Sequence, residues 1–215
     1  MWPRYCVERD WGNKDLIIPM ICTCDILLSD IGVHQKKYGK YGIGLNKSWS
    51  KKCGFTPVLY VSDKSDIYNR LNNYAKEKLI QPILRNRDVI DEEYLLYYVK
   101  RTVGTDADRE YLGMERKPKF INEREWRFVP KDFAPLYFAP KGKGQDIDCN
   151  RLSIITQNCT LKLEPQNIEY IFIDNEGERL QLIKNIERIY NKYSADDLKV
   201  LTSKIISNEQ MTKDF

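Results

Sequence analysis

Two rhythms of apolar positions run along this chain, and each predicts its own class of element. Ile168-Glu169-Tyr170-Ile171-Phe172-Ile173 is a short, nearly continuous apolar run and predicts a strand. Leu180, Ile183, Ile186 and Ile189 recur at helical spacing and predict an amphipathic helix over 176–192. Leu198 to Leu201, with Ile205-Ile206, predict a final strand. Strand, helix and strand in that order imply a β-α-β crossover with a parallel pair. Nearer the start, Pro19 to Ile26 reads as a short strand, followed by a helix from about Leu28 to Lys37 with Ser29 or Asp30 as cap. Ile43 to Leu45 starts a strand, Asn46 to Lys52 reads as a short helix bearing Trp49, and Thr56 to Val61 as a strand in which Pro57 favours the first residues or an edge. Residues 66–101 are expected to be largely helical, with a stripe of Ile67, Leu71, Tyr74, Leu79 and Ile83 broken near Pro82. Tyr94 to Lys100 follow as a second helical segment whose aromatics serve packing. A polar connector at about 102–119 suits a lid or a partner-recognition loop. Leu136 to Ala139 and Leu152 to Ile155 are short strands on either side of a basic turn at Lys141 to Gly144. The fold class expected is α+β: one mixed-sheet domain over 1–215, with a C-terminal β-α-β unit.

One stretch alternates charge rather than apolarity. In Asn122-Glu123-Arg124-Glu125-Trp126-Arg127-Phe128-Val129-Pro130, an extended backbone puts Glu123, Glu125 and Arg127 on one face and Arg124, Trp126 and Phe128 on the other. Two readings stay open: an edge strand with a solvated charged face, or the wall of a polar cleft. Burial of the charged face would demand that every charge be paired.

Composition narrows the chemistry. A single histidine, His34, among 215 residues excludes a metal centre built on several histidines and leaves a histidine-based protease with only that residue. No Gly-x-Ser-x-Gly, His-Glu-x-x-His or two-metal carboxylate pattern is present. The six cysteines do not fall at zinc-binding spacings and read as free thiols of a cytoplasmic protein. No apolar run is long enough to cross a bilayer. The formal charge of +4 permits nucleic-acid contact without arguing for it, although Lys36, Lys37, Lys40, Lys47, Lys51 and Lys52 are close in sequence. The glycines of Tyr38-Gly39-Lys40-Tyr41-Gly42-Ile43-Gly44-Leu45 match neither a dinucleotide fingerprint nor a Walker loop. They still allow close backbone approach, so a nucleotide site is one candidate. There Glu125 orients a ribose hydroxyl, Arg127 or Arg4 neutralises a phosphate, and Tyr38 and Tyr41 stack on a ring beside Gly39 and Gly42.

The same blocks resemble a known family. Pro19-Met20-Ile21-Cys22, the segment Tyr38 to Leu45, Pro57-Val58-Leu59-Tyr60 and Glu123 to Pro130, in that order, look like the AbiGi family of bacterial abortive-infection systems. That resemblance covers most of the chain. It implies the antitoxin of a two-gene phage-resistance pair, with a cognate toxin as partner and a phage or host component as target. Family members generally begin with a further segment before the Arg4-Tyr5-Cys6 region, so the amino end reads as a secondary start. At a more remote level the order of blocks is similar to DarT-like and other ADP-ribosyltransferase-like domains. That likeness implies an NAD-dependent transferase with Glu125 as its late carboxylate, whereas the antitoxin reading needs no cofactor. A nucleic-acid-binding defence protein is the third expectation.

Overall fold

The computed structural model describes residues 1, 4–11, 14–75, 91–130, 137–140 and 159–214. Leu79, Pro82, Ile83, the strand expected at Leu152 to Ile155 and the turn at Lys141 to Gly144 lie outside the described residues. The chain packs as two compact units, each assembled from two separated segments. Helices and mixed sheets place it in the α+β class.

The first unit comprises Met1–Asp25 and Phe55–Leu161. With strands numbered in chain order through both units, β1 (Arg4–Trp11) and β2 (Lys14–Cys24) form an antiparallel pair in which Arg4 is in register with Met20. Strand β2 is longer than its apolar run suggests. Its last residues, Ile21 to Cys24, pair with β7 (Glu125–Phe128), and its first, Lys14 to Ile17, pair with β8 (Tyr137–Pro140). The far side of β7 is taken by β4 (Thr56–Pro57). The expected single strand over Thr56 to Val61 is therefore two. Val58 donates its backbone N–H to the Glu125 carbonyl at 2.9 Å, and β5 (Leu59–Val61) leaves to pair in parallel with β6 (Val99–Arg101). Helix α3 (Asp66–Tyr74) is capped by the Ser65 hydroxyl, which accepts the Tyr68 N–H. Tyr68, Leu71 and Tyr74 pack against a core of Ile18, Met20, Val61, Leu96, Val99 and Val129. Each such side chain stabilises the unit by roughly 1.5–3 kcal/mol through removal of apolar surface from water.

Two further expectations in this unit are corrected. Residues 91–98 form 3-10 turns, and Val99 to Arg101 are strand rather than the end of a helix. The connector at 102–119 is partly structured. It contains α4 (Asp106–Tyr111), whose capping box joins Thr105 and Asp108, and its ends are tied by Gly104 N–H to Pro118 O at 2.8 Å and Ile121 N–H to Thr102 O at 3.2 Å. Glu123 belongs to a 3-10 turn, Phe120–Glu123, and Arg124 takes a left-handed conformation, φ 44°, so β7 begins at Glu125.

The second unit comprises Ile26–Gly54 and Lys162–Phe215. Strand β9 (Ile168–Ile173) stands at its centre, antiparallel to β3 (Gly42–Leu45) and parallel to β10 (Ile205–Ser207), as the β-α-β pattern requires. The crossover holds two helices, α5 (Arg179–Ile189) and α6 (Ala195–Ser203). Leu198 to Leu201 are thus helix, not strand. A capping box between Ser194 and Asp197 starts α6, and Leu201 inserts into the core with Ile168, Ile171, Ile173, Ile186 and Ile205. The face of α5 is rotated from the expected stripe. Leu182, Ile183 and Ile186 pack inward, while Leu180 and Ile189 are exposed. Helices α1 (Ile31–Tyr38), preceded by a 3-10 turn at Leu28–Asp30, and α2 (Lys47–Lys52), capped by the Asn46 side chain, flank β3 as anticipated. A last helix, α7 (Asn208–Asp214), follows β10 directly.

Candidate functional site

The alternating stretch does not form a solvated edge. Strand β7 lies between β2 and β4, and its charged face is the buried one: Arg127 is 0% and Glu125 4% exposed. Such burial stands only if the charges compensate one another, and here they do. Arg127 donates through Nε to Glu125 Oε1 at 2.6 Å and through Nη2 to Oε2 at 3.4 Å. Its Nη1 donates to the Tyr97 carbonyl at 2.6 Å. Lys100 Nζ reaches Glu125 Oε2 at 2.7 Å and Glu123 Oε2 at 3.4 Å, and lies 4.3 Å from the centroid of the Phe120 ring. The Tyr60 hydroxyl accepts the backbone N–H of Glu125 at 2.9 Å. Two carboxylates and two cations give the cluster no formal net charge.

Burial opposes ionisation of Glu125 more strongly than any other single influence. The attraction of Arg127 and Lys100 and their hydrogen bonds together outweigh it, and its pKa falls to about 2. Burial pushes the Tyr60 phenol up to about 12. At neutral pH, then, Glu125 is an ionised acceptor beside a neutral tyrosine. It holds two cations and has no proton to give as a general acid.

Of the residues singled out in the sequence, Glu125 and Arg127 are brought into direct contact. Arg4 lies in the same unit on β1, and β2 stands between β1 and β7. The others belong to the second unit. The Tyr38 ring lies 4.6 Å from that of His34, and Gly39, with φ 104°, ends α1 by donating to Gln35 O at 2.9 Å. Tyr41 donates its hydroxyl to Glu178 Oε1 at 2.9 Å, and Lys40 donates to Asp174 Oδ2 at 2.8 Å, just past the carboxyl end of β9. The hydrogen bond to Glu178, with some burial, raises the Tyr41 pKa. Gly42 faces Phe172 across the sheet, where a Cβ would meet the ring at 3.3 Å, and at Gly44 it would meet Tyr170 at 3.0 Å. These two glycines make room for aromatic rings on the neighbouring strand.

Sequence reasoning missed Lys100, Tyr60 and Phe120 in the first group, and Asp174 and Glu178 in the second. Tyr97-Tyr98-Val99, three β-favouring residues just before Lys100, carry a usable signal that the helical reading of 66–101 hides. Among the described residues, no group of three or more His, Cys, Asp or Glu side chains could hold a metal ion. No described helix is long and apolar enough to cross a membrane.

Comparison with known proteins gives a family and no structural relative. No solved structure matches the chain. A curated protein from Lactococcus lactis subsp. cremoris, "Abortive phage resistance protein AbiGi", is 28% identical over 237 aligned positions that cover 94% of this chain and 90% of that protein. Residues 1–174 match the family described as "Putative abortive phage resistance protein AbiGi, antitoxin". The matched residues include β7 and the glycine-bearing strand β3, and the chain belongs to the AbiGi family of abortive phage-resistance proteins.

Proposed function

We propose that this protein is the antitoxin of an abortive-infection pair and that it acts by binding its cognate toxin directly. The family match over residues 1–174 carries this reading. In it, Glu125, Arg127, Lys100 and Glu123 have a structural task. They clasp the segments around Tyr60, Tyr97 to Lys100 and Phe120 to Arg127 together and so stabilise the first unit. A transferase centred on Glu125 would need its carboxylate to exchange a guanidinium and an ammonium for a ribose hydroxyl. That exchange breaks two of the ion pairs that compensate these charges.

The test is co-expression of the full chain with the protein encoded by the adjacent reading frame, scored for growth and for co-elution. The expected result is restored growth together with a stable complex, which calls for an interface of roughly 1,200–2,000 Å². Growth without a complex overturns the contact mechanism and points to action on the toxin's target. No effect on growth overturns the antitoxin reading. Glu125→Gln sharpens the choice: a well-folded variant that still binds and rescues rules out a catalytic need for that carboxylate.

A further inference from the structure

The segment that carries α1, β3 and α2 leaves its apolar side chains outside. Helix α1 buries none of its eight residues, and a helix this short is marginal in water without a face packed on something else. Val33 on α1, Leu27 and Leu28 in the turn before it, and Ile43 on β3 are all exposed, as are Tyr38 and Tyr41 between them. Among the described residues, strand β3 is the edge of its sheet. Exposed aliphatic and tyrosine side chains gathered in one short segment mark an interaction surface.

Charge says what kind of partner fits it. Residues 26–54 hold six lysines and no arginine, against one acidic residue, Asp30. Lys36, Lys47, Lys51 and Lys52 are exposed on the two helices that flank β3. An apolar strip between positive helices complements a surface with an apolar centre and an acidic rim. The absence of arginine and the presence of four exposed aliphatic residues disfavour a nucleic acid, whose readout leans on guanidinium groups and stacking.

We propose that the α1-β3-α2 strip is the docking surface for an acidic protein partner, which is the cognate toxin if the antitoxin reading above holds. Its aliphatic and tyrosine side chains form the dry centre, and its lysines set the rate and the salt dependence of association.

The experiment measures binding of the full chain to the purified product of the adjacent reading frame. It compares the wild type with Lys36→Glu/Lys47→Glu/Lys52→Glu and, separately, Val33→Asp. Circular dichroism and thermal melting confirm that each variant folds. The triple variant is expected to associate about tenfold or more slowly at low salt, with the gap closing as salt screens the charges. Val33→Asp is expected to dissociate about tenfold or more faster, the scale of a truncated central anchor. If the wild type binds and both folded variants bind as well as it does, the docking surface is elsewhere and the antitoxin reading stands. If the wild type restores growth without binding, the contact mechanism fails and this assignment with it. Binding of a duplex oligonucleotide that the triple variant loses, with toxin binding untouched, assigns the lysines to nucleic acid and overturns the proposal.

Discussion

The two units handle charge in opposite ways. The first buries a guanidinium and two carboxylates on and beside β7, where Arg127, Glu125 and Glu123 depend on Lys100 and on the Tyr97 carbonyl. The second keeps an aliphatic core of Ile168, Ile171, Ile173, Ile186, Leu201 and Ile205, and makes its ion pairs, Lys40–Asp174 among them, at the surface. An aliphatic core tolerates loss of a contact in proportion to the volume removed. A buried charge network fails when any one member is taken away, because the others are left uncompensated.

The largest expected effect comes from Arg127→Ala. It leaves Glu125 buried and the Tyr97 carbonyl without its donor, and should cost about 3–5 kcal/mol in chemical denaturation. Replacing Glu125 and Arg127 together with Met should cost less than either single change. A double variant as unstable as the sum of the singles would break the account of mutual compensation. Leu201→Ala in the second unit removes a side chain that is almost fully buried and should cost about 2–5 kcal/mol, with no dependence on salt.

Acid should separate the units next. The folded pKa of Glu125, about 2, lies below the ordinary value of 4.5. Its stabilisation is therefore fully present above about pH 4.5 and is lost as pH falls through about 2. Hydrogen exchange at pH 3 should accordingly show weaker protection at β7 than at neutral pH, with β9 little changed. Equal loss at both strands would erase the contrast. Lys40→Ala is expected to do least. Its ion pair with Asp174 is exposed and screened, so the melting temperature should stay within error of the wild type.

The sequence made these regions legible to different depths. Strand β9 was plain because it is apolar at nearly every position and buried at the centre of its sheet. The period-two placement of Glu125 and Arg127 was plain as well. Their burial is not, since it depends on Tyr60, Tyr97 and Lys100, which lie far off in the chain, the last two inside the expected helix. In α6 the apolar Leu198, Val200 and Leu201 suggest a strand, although Ser194 followed by Asp197 spells a capping box. In α5 the spacing of Leu180, Ile183, Ile186 and Ile189 was helical but drifted off the buried face, which Leu182 and Tyr190 complete. The tyrosine and glycine residues from Tyr38 to Gly42 were noticed for their spacing. What they touch, Glu178 and Phe172, comes from the other segment of the unit and could be known only from coordinates.

The discontinuous build of the second unit has a consequence during synthesis. Asn46 and Glu169, hydrogen-bonded at 2.6 Å where β3 meets β9, are 123 positions apart. At a ribosomal pace of roughly 5–20 residues per second, β3 and its flanking helices leave the exit tunnel roughly 6–25 s before their strand partner exists. For that interval a glycine-bearing edge strand waits with its hydrogen-bonding groups unmet, open to chaperones and proteases. A nascent chain cut short by a phage-imposed block on translation would never close this sheet.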